Sequence, residues 1–202
     1  MSGAVRIEMR RHLLCCPTLP DFRQLHPDYR ALLDTAMREE APALCNALAG
    51  LANARPGVRV ALSLASLRRE FKCDAAVQDD RALESVVLEF GVADGVDALA
   101  VCSDGLVSWY DARKAALVEG HVTGDKLALV GKLFDAVRTA APKFGAAKPV
   151  LPPGPGTAEI TISRVTADGI AFGKGPMAAI AGDKYGGPII HWGLQVADLI
   201  RT

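Results

Sequence analysis

The sequence predicts an α+β fold in which a five-stranded, antiparallel-type sheet is sandwiched by helices. Three observations predict it. Val96 to Cys102 is an apolar run, Ser103-Asp104-Gly105 is a turn, and Leu106 to Tyr110 is a second apolar run, the pattern of a two-stranded hairpin. Gly124 and Asp125 then open a stretch with helical apolar spacing that runs to Ala141. Ala158, Ile160 and Ile162 alternate with Glu159, Thr161 and Ser163, as in a strand with one polar face.

The remaining elements follow in chain order. Pro17, Pro20 and Pro27 discourage a long helix, so residues 1–28 are expected to be irregular. Tyr29, Leu32, Leu33, Ala36 and Met37, then Leu44, Leu48 and Leu51, recur at helical spacing, with Asp28 placed to cap. Pro42 lies inside that pattern and predicts a kink or two short helices. Val58, Val60, Leu62 and Leu64 alternate and read as a strand. Asp79-Asp80 can cap a helix carrying Leu83, Val86, Val87 and Phe90. The Pro- and Gly-rich stretch from Ala146 to Gly156 is a loop. Ala167-Asp168-Gly169 is a turn, and Ile170 to Phe172 and Met177 to Ala181 read as two more short strands. Pro188 suits the first turn of a closing helix whose stripe is Ile189, Trp192, Val196 and Leu199 or Ile200. This divides the chain into an N-terminal helical and strand section, residues 1–78, and an α+β domain, residues 79–202.

Composition narrows the function. Basic and acidic residues number 23 each, so there is no net basic charge of the kind a nucleic-acid binder carries. The five cysteines, Cys15, Cys16, Cys45, Cys73 and Cys102, are odd in number and show no disulfide framework, which favours a reducing cytoplasm. No segment has the roughly 20 apolar residues of a spanning helix, and no export signal is visible.

The helix from Asp125 to Ala141 has a wide apolar face. At about 100° per residue, Leu127, Leu129, Val130, Leu133, Phe134, Ala136, Val137, Ala140 and Ala141 fall within an arc of about 180°. A helix facing one core needs an arc of only about 100°. Either the alanines widen the arc and the helix covers its own sheet alone, or a second subunit buries the other side.

The order of helix, strand, turn, strand, helix, three strands and helix, with Val96 to Val107 as its first hairpin, resembles the roadblock / dynein light chain family. Profilin-like and longin-like folds share much of that order. The resemblance covers Asp80 to Thr202, about three-fifths of the chain. It implies a homodimer formed through the long helix and the strand after it, here Leu127, Val130, Leu133, Phe134, Val137, Ile160 and Ile162. It also implies an adaptor or scaffold role, with a Ras-like GTPase or a motor- or membrane-associated complex as partner. Trp109 and Tyr110 on the second strand are an aromatic pair that is either buried or available for partner contact.

No catalytic, cofactor or metal site is expected. Gly173-Lys174-Gly175-Pro176 lacks the Ser or Thr and the helix of a phosphate loop. His12, Cys15, Cys16 and His26 match no structural zinc spacing. Cys102, His121 and Asp104 have the residue types of a nucleophilic triad, but Cys102 sits in an apolar strand. His191 beside Trp192 reads as a surface or packing histidine, and the adjacent pairs Glu39-Glu40 and Asp79-Asp80 as solvated ends or caps. The alternative to an adaptor is an enzyme or small-ligand sensor with a pocket the sequence does not reveal.

Overall fold

The computed structural model describes residues 9–15, 17–38, 41–54, 57–73 and 84–201. Ser103-Asp104-Gly105 turns the chain as expected, joining β2 (Gly95–Cys102) to β3 (Leu106–Asp111). Before this hairpin comes β1 (Glu84–Val92), and after it β4 (Ala116–His121). The chain then forms α6 (Leu127–Ala140) and returns through the connector to β5 (Glu159–Thr166) and β6 (Gly169–Pro176). The six strands make one antiparallel sheet in the order β4-β3-β2-β1-β5-β6. The last helices are α7 (Met177–Ala181) and α8 (Gly186–Asp198).

One face of the sheet is built from large apolar side chains. Val86, Leu88 and Phe90 of β1, Leu99 and Val101 of β2, Val107 and Trp109 of β3, and Ile160 and Ile162 of β5 point to it. They pack on Val130, Leu133, Phe134, Val137 and Ala140 of α6 and on Ile189, Ile190, Val196 and Ala197 of α8. At Gly193 a Cβ would meet Leu88 Cδ2 at 3.0 Å, so the absent side chain lets α8 lie close against the strands.

The other face carries smaller and more polar side chains: Ser85, Val87, Glu89, Ala98, Ala100, Cys102, Ser108, Tyr110, Thr161, Ser163 and Val165. Residues 9–13 form α1, and Leu13, Leu14 and Cys15 pack here beside Val58 and Leu62 of α5 (Val58–Glu70). Behind them lies a third cluster. It joins Leu19 and Phe22 of α2 (Leu19–Leu25), Leu33 and Ala36 of α3 (Arg30–Ala36), Leu44 and Leu48 of α4 (Ala41–Asn53), and Leu64 and Leu67 of α5.

Several expectations need correction. The sheet has six strands, not five. Residues 58–64 are helical, not a strand: Val58 and Leu62 face the sheet while Leu64 and Leu67 face the other helices, and two buried sides in one helix imitate alternation. Glu84 to Val92 is strand β1, not the second half of a helix; residues 79–83 lie outside the described residues. Met177 to Ala181 is a helical turn, not a strand. The arm is not irregular throughout, because Thr18 and Asp21 close a capping box around the start of α2 and Pro20 sits in its first turn, where a missing N–H costs nothing. Asp28 falls within a 3₁₀ turn, Pro27–Tyr29, and caps no helix. Around Pro42, α3 and α4 are two separate helices.

Cys45 of α4 and Cys73, just beyond α5, form a disulfide with Cα atoms 5.4 Å apart. The expectation of no disulfide framework is therefore corrected, and with it goes the observation that favoured a reducing compartment. Among the described residues no helix is long and apolar enough to cross a membrane.

Candidate functional site: the β4 edge and the ionic cluster behind it

A sheet of six strands in open order has two edges, and each presents backbone groups without a strand partner. The β6 edge is strapped by the connector. Lys148 and Ile170 exchange both backbone hydrogen bonds at 2.9 Å, and the Gly145 N–H donates to the Phe172 carbonyl at 3.4 Å. Gly169 makes this approach feasible: its φ is +135°, and a Cβ there would stand 2.8 Å from the Lys148 carbonyl oxygen. Pro176 ends the strand and carries no N–H.

The β4 edge has no such strap among the described residues. The Val122 N–H donates to the Gly105 carbonyl, so the antiparallel alternation turns the backbone groups of Leu117, Glu119 and His121 outward. On the α6/α8 side of the strand, Val118 is 42% exposed.

On the opposite side the β4 side chains meet the N-terminal helices. The Arg59 guanidinium, 3% exposed at the start of α5, donates through Nη1 to Oε1 of Glu119. Ser108 of β3 donates its hydroxyl to the same oxygen. His12 Nε2 lies 3.9 Å from Glu119 Oε1 and 3.4 Å from Arg59 Nη1. The His12 imidazole, the Ser108 hydroxyl and Arg59 hold the Glu119 carboxyl down at about 2, although partial burial pushes it up. Burial opposes the charge on Arg59, but the guanidinium is shifted up from its ordinary value, paired with the Glu119 carboxylate. A parallel anchor lies deeper: Arg10 of α1 donates to both oxygens of Glu89, which is 1% exposed on β1, and to the Pro152 carbonyl at 2.9 Å.

The cluster is built for charge pairing rather than nucleophilic chemistry. Burial pushes the Cys102 thiol up, and the thiol donates to Ser85 Oγ at 3.7 Å. Asp104 is engaged elsewhere, its Oδ2 accepting the Val58 N–H at 2.9 Å and its Oδ1 the Leu106 N–H at 3.2 Å. His121 Nε2 stands 3.0 Å from the Asp104 backbone carbonyl, not from the carboxylate or the thiol. The three residue types of a triad are thus neighbours in the fold without forming a proton relay.

The other sequence-derived candidates fall as follows. Val130, Leu133, Phe134, Val137, Ile160 and Ile162 are all buried within the single chain, and of that set only Leu127 is exposed, at 41%. The wide arc of α6 is spent on the sheet and on α8. Trp109 is 8% exposed, 4.4 Å below the Arg201 guanidinium, and Tyr110 is buried on the opposite face of β3. His12 and His26 stand 6.5 Å apart as rings, Cys15 is buried, and Cys16 lies outside the described residues. No group of three metal-ligating side chains occurs among the described residues. The Gly173 to Pro176 segment is the end of β6, with Lys174 paired to Glu159 at 2.9 Å. His191 packs edge-on to Trp192, over which Lys132 sits at 4.5 Å. Glu39-Glu40 and Asp79-Asp80 lie outside the described residues. A cleft of about 410 Å³ opens between Arg11, Thr18, Ser66, Arg69 and Leu151, and neither the candidate triad nor His191 lines it.

Arg10, Arg59, Glu89 and Glu119 were not legible as a site. Arg59, Glu89 and Glu119 are each one charged residue in a short apolar stretch, Arg10 sits beside Arg11 in a basic cluster, and only the packing of helix on sheet brings the pairs together. Comparison with protein-family models, curated proteins and solved structures found no match to this chain.

Proposed function

We propose that this chain is a non-catalytic binding module, one that takes up an extended segment of a partner along β4. More particularly, it is a homodimeric adaptor whose two copies meet edge to edge. The observation that carries this reading is the contrast between the two sheet edges: β6 is strapped and closed by Pro176, while β4 turns the backbone groups of Leu117, Glu119 and His121 outward beside an exposed Val118. The Glu119–Arg59 pair supports it as well, because a strand laid on β4 would further bury a carboxylate already neutralised by a cation. The adaptor role, and a Ras-like GTPase as a further partner, follow from the resemblance to the roadblock family rather than from the edge.

Sedimentation at tens of micromolar tests the reading. The expected result is a dimer that Val118→Lys converts to monomer, since an edge lysine opposes strand pairing. A wild-type chain that sediments as a clean monomer would overturn the homodimer.

A further inference from the structure

The two faces of the sheet are covered in different ways. Towards α6 and α8 the strands present Leu88, Phe90, Leu99, Trp109, Ile160 and Ile162, a face that needs a permanent cover. Towards the N-terminal helices they present Ser85, Ser108, Thr161 and Ser163 among alanines, together with two carboxylates. The Thr161 and Ser163 hydroxyls are buried and have no hydrogen-bond partner among the described residues.

The cover has a core of its own. Phe22, Leu33, Leu48, Leu64 and Leu67 are fully buried among α2, α3, α4 and α5, away from the sheet, and the Cys45–Cys73 disulfide closes the same helices. Among the described residues its apolar contribution to the sheet comes from Leu13, Leu14, Cys15, Val58 and Leu62, with Met9 partly buried beside them. Two arginine–carboxylate anchors, Arg10 on Glu89 and Arg59 on Glu119, tie the cover to the sheet, together with the Val58 N–H on the Asp104 carboxylate and Arg10 on the Pro152 carbonyl.

We propose that the helices α1 to α5 are a detachable cover. The helical unit lifts from the sheet as one piece, its own core and disulfide intact. The inference stands apart from the β4 reading, because the cover can detach whether or not β4 pairs.

Cys102 supplies the probe. It is fully buried under the cover, on the sheet side of the seam, whereas Trp109 and Trp192 lie in the layer of α6 and α8. Full-length oxidised protein is pulsed with N-ethylmaleimide across a urea series. Alkylation of the Cys102 peptide is read by mass spectrometry, beside tryptophan fluorescence and far-ultraviolet ellipticity. The expected result is Cys102 alkylation at urea concentrations where fluorescence and helical ellipticity are still native, with a shallower urea dependence than global unfolding. Arg10→Met is expected to raise the Cys102 rate at least tenfold under native conditions. Alkylation that tracks the tryptophan transition with the same urea dependence would overturn the proposal. So would alkylation accompanied by loss of helical ellipticity, which would mean the cover melts rather than detaches. The wild-type series decides the matter even if Arg10→Met does not fold.

Discussion

The carboxylate of Asp104, in the turn between β2 and β3, accepts the backbone N–H of Val58 at 2.9 Å. A hairpin turn thus caps a helix that precedes it by 46 positions in the chain. Gly57, the residue at the cap position, has no side chain to do so.

Asp104→Ala should therefore destabilise the protein by about 1 kcal/mol, the usual cost of losing a helix cap. Asp104→Asn should retain most of that stability. Urea unfolding of the two variants beside wild type checks this; equal midpoints for all three would refute the cap.

The β2–β3 hairpin, α6 and β5 were legible in the sequence because each has strong periodicity and a turn residue at its end. Strand β1 was not. Both of its faces are buried, so it lacks polar alternation, while Val86, Val87 and Phe90 happen to fit helical spacing. The edge strand β4 was missed because Glu119, Gly120 and His121 weaken its apolar pattern. The cluster behind β4 was invisible for a related reason. Arg59 and Glu119 are 60 positions apart, and their pairing depends on which side of α5 meets which face of the sheet.

Acid should weaken the seam. The Glu119 carboxyl is depressed from its ordinary value of 4.5 to about 2. A depressed carboxyl contributes stability that is fully present above its unfolded value and is lost as pH falls towards the folded one. The stability difference between wild type and Glu119→Gln should therefore shrink between pH 4.5 and about 2. Because the side chain is half-exposed, the effect will be small. Urea midpoints at half-unit pH steps measure it, and a difference independent of pH would exclude the role.

The apolar arc of α6 makes a contrast between two leucines. Leu133 is fully buried against sheet and α8, so Leu133→Ala should cost about 2–5 kcal/mol. Leu127 is 41% exposed, so Leu127→Ala should stay within about 0.5 kcal/mol. Unfolding measured at two tenfold-different protein concentrations would separate this from an intersubunit effect. Equal costs at the two sites would contradict the burial.

Removing the disulfide as Cys45→Ala with Cys73→Ala should lower stability by about 2–4 kcal/mol, since it closes a loop of 28 residues. Thiol titration of the denatured, unreduced wild type should find two of the five cysteines blocked. Five reactive thiols would show that the bond does not form.

Gly169→Ala should disturb the strap on β6. Its positive φ and the 2.8 Å approach to the Lys148 carbonyl leave no room for a Cβ, and the strain amounts to about 1–3 kcal/mol. Loss of amide-exchange protection at Lys148 and Ile170 is the readout, and unchanged protection would argue against the strap.

That strap also sets an upper limit on assembly. A sheet with both edges open can add copies without end, and the product is a fibre. With Lys148 and Gly145 occupying β6, growth has one direction only. Two copies joined at β4 would consume both open edges and present a strapped strand at either end, so pairing terminates itself at two.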